Sequence, residues 1–281
     1  RLRRAVFSCP ANRRGRRERP GRARQPEWTM TEIQGKVALV TGGSRGIGAA
    51  TVRALSAAKA DVVVHYHRNR ARAEAVVREV GPERCLLVPA ALENPPAARA
   101  LWNEAVTWRG HLDVLINNAG IFEPVGIAED AETWRQAWQR TLQINLLAAA
   151  ELCRAAVTHF QDRGGGIIIN IASRAAFRGD TPDYMHYAAS KAGLVALTRS
   201  IARGFAAEGV LAYVIAPGFV RTEMTDDFFA RQGEDAVLGE IPLGEIAAPE
   251  DVANVAAFLA SGRARHATGA TFDINGASYV R

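Results

Sequence analysis

A glycine-rich segment between an apolar run and a helical pattern restricts this chain to few folds. Residues 41–48, TGGSRGIG, follow the apolar run at 36–40 and lead into the helical pattern. In this context Gly42 permits a tight turn, Gly46 lets the backbone approach a pyrophosphate, and Gly48 allows a helix to pack closely on a strand. The free N–H groups of the helix start point to the same place. We therefore predict nucleotide binding here, against the alternative of a glycine turn without a ligand.

Short β-rich runs alternate with longer helical patterns along the rest of the chain. Strands are predicted at residues 36–40, 61–66, 84–89, 112–116, 166–171, 211–215 and 271–274. Helices are predicted at about 46–58, 70–80, 96–108, 131–162 with an interruption, 185–207 and 249–260. Several strands are continuous apolar runs, as expected when helices cover both faces of a parallel sheet. The pattern predicts one α/β domain over residues 30–281, a Rossmann-like doubly wound parallel sheet, with an irregular lid at about 221–248.

The positive charge of the chain is concentrated at its start. Residues 1–29 hold ten arginines and two glutamates, a net charge of +8, whereas the whole chain carries +6, which leaves about −2 on the remainder. This leader has almost no apolar periodicity, so we expect it to be disordered, and to be upstream sequence or a start-site artefact rather than a functional tail. Only three of the 35 basic residues are lysines, which fits a coding bias rather than selection for phosphate contacts. Nucleic-acid binding through the leader is the disfavoured alternative.

Other compositional features exclude several classes of protein. No apolar run reaches the eighteen or so residues that span a bilayer, because even residues 145–157 contain two charged side chains. Cys9, Cys85 and Cys153 form neither a disulfide framework nor a metal-binding spacing. We expect a protein of the reducing cytoplasm, with no metal site and no membrane partner.

Tyr187 and Lys191 stand four residues apart in a predicted helix and therefore lie on one face of it. An ammonium group beside a phenol favours the ionised phenol, so we predict that Lys191 lowers the pKa of Tyr187. Taken alone, this spacing more often marks a partly solvated helix face.

The end of the second strand predicts which dinucleotide binds. Residues 62–68, VVVHYHR, contain no carboxylate for the ribose hydroxyls of NAD, while Arg45 lies in the glycine loop and Arg68 follows the strand. Two arginines that reach one 2′-phosphate favour NADP(H) over NAD(H). A solvated turn residue is the alternative interpretation of Arg68.

Six ordered motifs make residues 33–281 resemble the short-chain dehydrogenases/reductases, in the single-domain branch that includes the 3-oxoacyl-(acyl-carrier-protein) reductases. The motifs are the loop at 41–48, the turn Asn117-Asn118-Ala119-Gly120, Asn145, Ser173, the pair Tyr187 and Lys191, and Pro217-Gly218. The resemblance implies NADPH-dependent reduction of a 3-oxoacyl thioester or another small ketone to an alcohol, or the reverse oxidation.

The resemblance also implies a role for each motif residue. Tyr187 would donate a proton to the substrate carbonyl, and Lys191 would lower the Tyr187 pKa and hold the nicotinamide ribose. Ser173 would hydrogen bond the carbonyl oxygen, and Asn145 would anchor a water that links Lys191 to solvent. The implied cofactor-binding residues are Gly42, Ser44, Arg45, Gly46, Ile47, Gly48, Arg68, Asn117, Ala119, Gly120, Tyr187, Lys191, Pro217, Gly218, Val220 and Thr222. Outside this combination, a turn hydroxyl and a helix-distorting amide would explain Ser173 and Asn145.

The chain departs from the family pattern at two positions. Ala91 stands where relatives often have an aspartate for the adenine amine, so adenine affinity is weakened unless Glu93 or Asn94 substitutes. Glu208 stands where relatives that act on acyl-carrier protein tend to have a basic residue, which weakens the assignment of that partner.

Two other functions stay open, an NAD-linked polyol, sugar or steroid dehydrogenase and a nucleotide-binding regulatory module without turnover. The resemblance further implies a homotetramer formed through the helices near 131–162 and 185–207 and an edge contact of the last strand. Ordinary packing within one chain also explains the alanine-rich faces of these helices.

Overall fold

The computed structural model describes residues 33–281, and the predicted leader at 1–29 lies outside the described residues. Within the described range, seven strands form one sheet in the order β3-β2-β1-β4-β5-β6-β7, and all neighbours are parallel. The strands are β1 Val37–Val40, β2 Asp61–Tyr66, β3 Cys85–Pro89, β4 Val114–Asn117, β5 Gly166–Ile171, β6 Val210–Pro217 and β7 Thr271–Ile274. The strand order reverses between β1 and β4, and a crevice forms at the carboxyl ends of the strands at such a point.

Helices connect successive strands. They are α1 Gly46–Ala57, α2 Arg70–Val80, α3 Pro95–Arg109, α4 Ala131–Leu142, α5 Ala148–Asp162, α6 Ala175–Arg178, α7 Met185–Phe205, α8 Glu223–Gln232, α9 Glu234–Gly239 and α10 Pro249–Ala260. A π-helical turn, Gln143–Leu147, separates α4 from α5 and is the predicted interruption of the helix at 131–162. None of the helices in residues 33–281 is long and apolar enough to cross a membrane.

The sheet is covered on both faces, which explains its largely apolar strands. Val40 belongs to one buried cluster and Leu39 to another, because successive side chains of a strand point to opposite faces. The first cluster includes residues of α1, α2 and α10, and the second includes residues of α3, α5 and α7. The predicted doubly wound parallel sheet is confirmed.

The segment predicted to be an irregular lid is helical. It contains α8 and α9, which are separated by Gly233 in a left-handed conformation with φ of 82°. Phe228 of α8 and Val237 of α9 are buried, and they pack in one cluster with Ile241 and Tyr184. The sequence pattern did not predict the helices because each is short, and tertiary packing rather than intrinsic propensity stabilises helices of this length.

Candidate active site

A cleft of about 260 Å³ opens at the carboxyl ends of the strands, between the sheet and the lid helices. It brings together most of the residues predicted from the sequence. The predicted residues that line it are Gly42, Ser44, Arg45, Gly46, Ile47, Gly48, Ala119, Gly120, Ser173, Tyr187, Lys191, Pro217, Gly218, Val220 and Thr222. The lining does not include Arg68, Asn117 or Asn145.

The glycine loop adopts the conformation that its sequence predicts. Gly42 and Gly46 have φ of 67° and 50°, in the left-handed region that favours glycine. A Cβ atom at Gly48 would lie 2.0 Å from the carbonyl oxygen of Gly42, so no other residue fits without moving the loop. Helix α1 begins here with no side-chain cap and no acidic residue in its first turn. Gly46, Ile47 and Gly48 of its first turn line the cleft, and the free N–H groups of a helix start are suited to bind a phosphate.

Asn118 fastens the glycine loop to β4, a role that the sequence analysis left unassigned. Its side-chain amide donates to the carbonyl oxygens of Thr41 at 2.9 Å and Gly42 at 3.2 Å. The Thr41 hydroxyl in turn accepts hydrogen bonds from the backbone N–H groups of Asn118 and Ala119, each at 2.9 Å. The sequence signal for this role was the position of Asn118 in the turn at 117–120, directly after β4.

His65 supports the same loop from β2 and was also not singled out from the sequence. Its Nδ1 accepts a hydrogen bond of 3.0 Å from the Gly42 backbone N–H. Because Nδ1 is an acceptor, the proton of the neutral ring lies on Nε2, which donates to the Ala90 carbonyl oxygen at 3.0 Å. Burial lowers the pKa of His65 to about 4, so the ring is neutral at physiological pH. His65 thus links the glycine loop to the chain after β3.

Tyr187 and Ser173 both line the cleft, with the Ser173 hydroxyl close enough to the phenol to affect its pKa. Burial raises the pKa of Tyr187 to about 12, the hydrogen bond with Ser173 lowers it, and the charge of Asp180 raises it further. The predicted lowering of this pKa is therefore wrong for the protein without a cofactor. The cost of placing a phenolate away from water exceeds the stabilisation that its neighbours supply.

Lys191 lies beside Tyr187, with Nζ 5.7 Å from the centroid of the phenol ring. Nζ donates a hydrogen bond of 2.9 Å to the carbonyl oxygen of Ile171. Burial lowers the pKa of Lys191 to about 8. Gly120 lies next to the ammonium group, since a Cβ there would lie 3.5 Å from Nζ, an ordinary van der Waals contact.

Asn145 lies in the π-helical turn and holds the segment after β4. Its Oδ1 accepts from the Ile121 backbone N–H at 2.8 Å, and its Nδ2 donates to the Ile121 carbonyl oxygen at 3.0 Å and to Ser190 Oγ at 3.2 Å. Both amide protons are used, so a water held by this side chain would have to donate to Oδ1.

Two predicted cofactor residues lie away from the cleft lining. The buried Asn117 side chain donates to Asn170 Oδ1 at 2.8 Å and to Cys153 Sγ at 3.3 Å, within the layer of helices that covers the sheet. Arg68 is exposed. Asn117 therefore has a structural role in this fold. Arg68 lies in a solvated turn, as its alternative interpretation stated.

The adenosine end of the cleft combines cations and carboxylates. Arg45 Nη1 lies 3.3 Å from Glu223 Oε2, and Arg72 contacts the same carboxylate. His67 Nε2 lies 3.2 Å from Glu93 Oε1, and both of these residues line the cleft. Glu93 lines this end of the cleft, and Ala91 does not.

Aromatic side chains form the wall beside Tyr187. Phe122 packs edge to face on Tyr187 with ring centroids 4.7 Å apart, and Tyr184 stacks on Phe122 at 3.9 Å. Phe228 of the lid continues this wall. In the described part of the chain, no group of three or more histidine, cysteine or acidic side chains is arranged to hold a metal ion.

Comparisons with known proteins agree on one family. Residues 42–277 match the family model described as enoyl-(acyl carrier protein) reductase. The chain is 35% identical over 247 residues to a 3-oxoacyl-(acyl-carrier-protein) reductase of Staphylococcus aureus, which covers 87% of this chain and 98% of that protein. It is 36% identical over 249 residues to 3beta-hydroxysteroid dehydrogenase 1 of Eggerthella lenta, which covers 87% of this chain and 94% of that protein. A crystal structure of a dehydrogenase/reductase from Sinorhizobium meliloti is similar with a TM-score of 0.81 at 32% identity, covering 89% of this chain and 98% of that one.

Proposed function

The chain belongs to the short-chain dehydrogenase/reductase family, and from this membership we propose that it reduces the carbonyl group of a small ketone to an alcohol with NADPH, or catalyses the reverse oxidation. As a member it is an NAD(P)-dependent oxidoreductase. The observation that carries the proposal is the Tyr187 phenol, which lines the cleft together with Ser173 and Lys191 and is protonated at neutral pH.

The reduction needs one hydride and one proton. A bound nicotinamide supplies the hydride to the carbonyl carbon. Tyr187 donates its proton to the carbonyl oxygen, and the raised pKa keeps that proton available at neutral pH. The Ser173 hydroxyl donates a hydrogen bond to the same oxygen and stabilises the negative charge that develops there.

Lys191 and the aromatic wall complete the site. The Lys191 ammonium is a buried positive charge beside Tyr187, and it stabilises the phenolate that remains after proton transfer. It would also hold the ribose of a bound cofactor. Phe122 packs edge to face with the phenol ring and adds an apolar surface beside the reacting group.

NADPH is favoured by the guanidinium of Arg45 at the end of the cleft that would hold the adenosine. Arg45 and His67 line this region, and a 2′-phosphate would replace the Glu223 carboxylate as the partner of Arg45. A second candidate, an NAD-linked steroid, sugar or polyol dehydrogenase, is favoured by the carboxylates of Glu93 and Glu223, which could accept hydrogen bonds from ribose hydroxyls. The similar hydroxysteroid dehydrogenase supports the steroid form of this alternative.

A 3-oxoacyl thioester is one substrate class that the similar reductases suggest. The acyl-carrier-protein partner has weaker support, because Glu208 accepts a hydrogen bond from Gln161 at the position expected to attract an acidic carrier. A homotetramer stays a prediction, and the half-exposed Leu147 between α4 and α5 is a candidate contact for it. Light scattering of the protein and of Leu147→Asp tests the assembly.

Steady-state rates with NADPH and NADH test the function on a panel of ketones that includes 3-oxoacyl thioesters, steroids and sugar ketones. We expect turnover with at least one class of ketone and a kcat/KM at least about tenfold higher with NADPH. A preference for NADH would favour the second candidate. Cofactor binding without any turnover, unchanged in Tyr187→Phe, would favour a regulatory module and contradict the enzyme.

A further inference from the structure

A recess of about 140 Å³ adjoins the catalytic residues and carries charges that reduction of a neutral ketone does not use. It opens beside Ser173 and Tyr187 and reaches to the lid helix α9. Two arginines, Arg174 and Arg178, line it together with the carboxyl groups of Asp180 and Glu240.

Arg174 is buried deeply for a charged residue, with 5% of its surface exposed. Its backbone N–H donates to the Pro217 carbonyl oxygen at 2.9 Å, and its guanidinium carbon lies 4.1 Å from the ring centroid of Phe219. Nη1 is buried without a hydrogen-bond partner among the described residues. A buried cation with an unused N–H donor is costly unless an acceptor fills the place, so this side chain is built to receive one.

Glu240 shows which kind of group fits there. Its Oε2 accepts hydrogen bonds from Arg174 Nη2 at 3.1 Å and from Arg178 Nη1 at 3.2 Å. The Glu240 side chain is 48% exposed and lies just after α9, whereas Arg174 is fixed in the core. The Glu240 carboxylate is already half hydrated, so it can move into water if another carboxylate takes its place beside Arg174, which would otherwise be left as an unpaired buried cation. Without Glu240, two arginines face only Asp180, which leaves a net positive charge in the recess.

The position of Arg174 in the chain relates this charge to the reacting carbonyl. Arg174 directly follows Ser173, and both line the recess together with Tyr187. A substrate whose carbonyl oxygen lies between the hydroxyls of Ser173 and Tyr187 extends into the recess within the reach of an arginine side chain.

We infer that Arg174 determines substrate specificity, and that the preferred substrate is a ketone with a carboxylate a few bonds from its carbonyl. This inference rests on the proposed function and narrows its substrate class. The carboxylate accepts hydrogen bonds from the Arg174 guanidinium in the place that Glu240 occupies, while the ketone is reduced at Tyr187. Arg178, which is more exposed, adds a second positive charge.

Paired substrates test the inference. Keto acids of increasing chain length are compared with their methyl esters, which have the same ketone without the charge. For the wild-type protein we expect a kcat/KM at least about tenfold higher for the best acid than for its ester. In Arg174→Gln we expect kcat/KM to fall by at least about 30-fold for the acid and by less than about threefold for the ester. A loss of this size is typical when one partner of a buried charge pair is truncated.

Two further variants separate carboxylate binding from a structural role. Glu240→Gln removes the internal competitor and should leave kcat/KM for the acid unchanged or raise it. Arg203 is an exposed arginine of α7, and Arg203→Gln is the matched control for loss of charge. It should leave kcat/KM unchanged for both the acid and the ester. Equal losses for acid and ester in both Arg174→Gln and Glu240→Gln would mean that the pair only holds the lid, and would overturn the inference. So would a wild-type preference for the esters.

A binding measurement distinguishes failure of this inference from failure of the proposed function. Titration calorimetry of the NADP⁺-loaded protein with saturated carboxylic acids of the same lengths should show binding that weakens by at least about 30-fold in Arg174→Gln. If no carbonyl is reduced, this result still supports the carboxylate site. Absence of binding to the wild-type protein contradicts the site. Should Arg174→Gln not fold, Arg174→Lys keeps the charge but loses the planar fork, and is expected to show a smaller, acid-specific loss.

Discussion

The ammonium group of Lys191 donates a hydrogen bond of 2.9 Å to the carbonyl oxygen of Ile171, the last residue of β5. The charge is thus directed at the backbone at the carboxyl end of an interior strand, close to the phenol of Tyr187 but not hydrogen bonded to it. Burial lowers the pKa of Lys191 to about 8, below its value in an unfolded chain. At neutral pH the fold therefore holds a buried positive charge at a cost in stability.

Lys191→Met should stabilise the cofactor-free protein at pH 7 while abolishing turnover. The unfolded chain binds the Lys191 proton more tightly than the folded one does. The free energy of unfolding is therefore reduced by the full amount below pH 8, and this reduction disappears as the pH rises toward 10.5. A shift of this size corresponds to roughly 3 kcal/mol, and loss of the bond to Ile171 offsets about 1–3 kcal/mol of it. We expect a gain in unfolding free energy of up to about 2 kcal/mol at pH 7, measured by urea denaturation. The prediction would be contradicted if the unfolding free energy of the variant minus that of wild type were smaller at pH 7 than at pH 10.

Tyr187→Phe should lower kcat by about 10²–10⁴-fold, the usual contribution of a general acid. The aromatic ring and its contact with Phe122 are kept. The dissociation constant of NADPH, measured by fluorescence, should therefore change by less than about threefold. Ser173→Ala is the companion variant and should lose less activity, since it removes a hydrogen bond and leaves the proton donor. Retained turnover in Tyr187→Phe would mean that another group supplies the proton.

The pKa of Tyr187 should fall when NADP⁺ binds. Without cofactor, burial holds this pKa at about 12, so the phenol should remain protonated through the alkaline range. A positively charged nicotinamide beside the phenol would favour phenolate and lower the pKa. The difference in phenolate absorbance between wild type and Tyr187→Phe, titrated with and without NADP⁺, measures the change. An unchanged curve would show that the cofactor ring does not lie next to Tyr187.

The fold was predictable because its signals are local, whereas several details of the site depend on contacts between distant segments. Apolar runs and the glycine loop indicated the doubly wound sheet directly. His65 looks like any other strand residue in the sequence, and only the fold places its ring against Gly42. The direction of Asn117 depends on the register of β4, and the pKa of Tyr187 depends on burial that no spacing reveals.

His65 should make the protein sensitive to acid. Its folded pKa of about 4 lies below the unfolded value, so its stabilising contribution is complete above pH 6.5 and is lost as the pH falls toward 4. At pH 4.5 the loss amounts to about 2 kcal/mol of unfolding free energy. In His65→Asn the drop between pH 7 and pH 4.5 should be smaller by that amount, although the variant is less stable at pH 7. Equal drops in both proteins would show that other groups govern acid unfolding.

Arg45→Ala should weaken the preference for NADPH. Arg45 lines the cleft at the start of α1, and its partner Glu223 lies half exposed, so a 2′-phosphate can replace that carboxylate. We expect kcat/KM to fall by about 10–100-fold with NADPH, as for loss of a charge-assisted hydrogen bond of about 1.5–3 kcal/mol, and by less than about threefold with NADH. Arg68→Ala is the matched control, because Arg68 is exposed and lies outside the cleft lining, and it should change neither value. A selective loss with NADPH in Arg68→Ala but not in Arg45→Ala would reverse the assignment and mean that the turn after β2 moves to hold the phosphate.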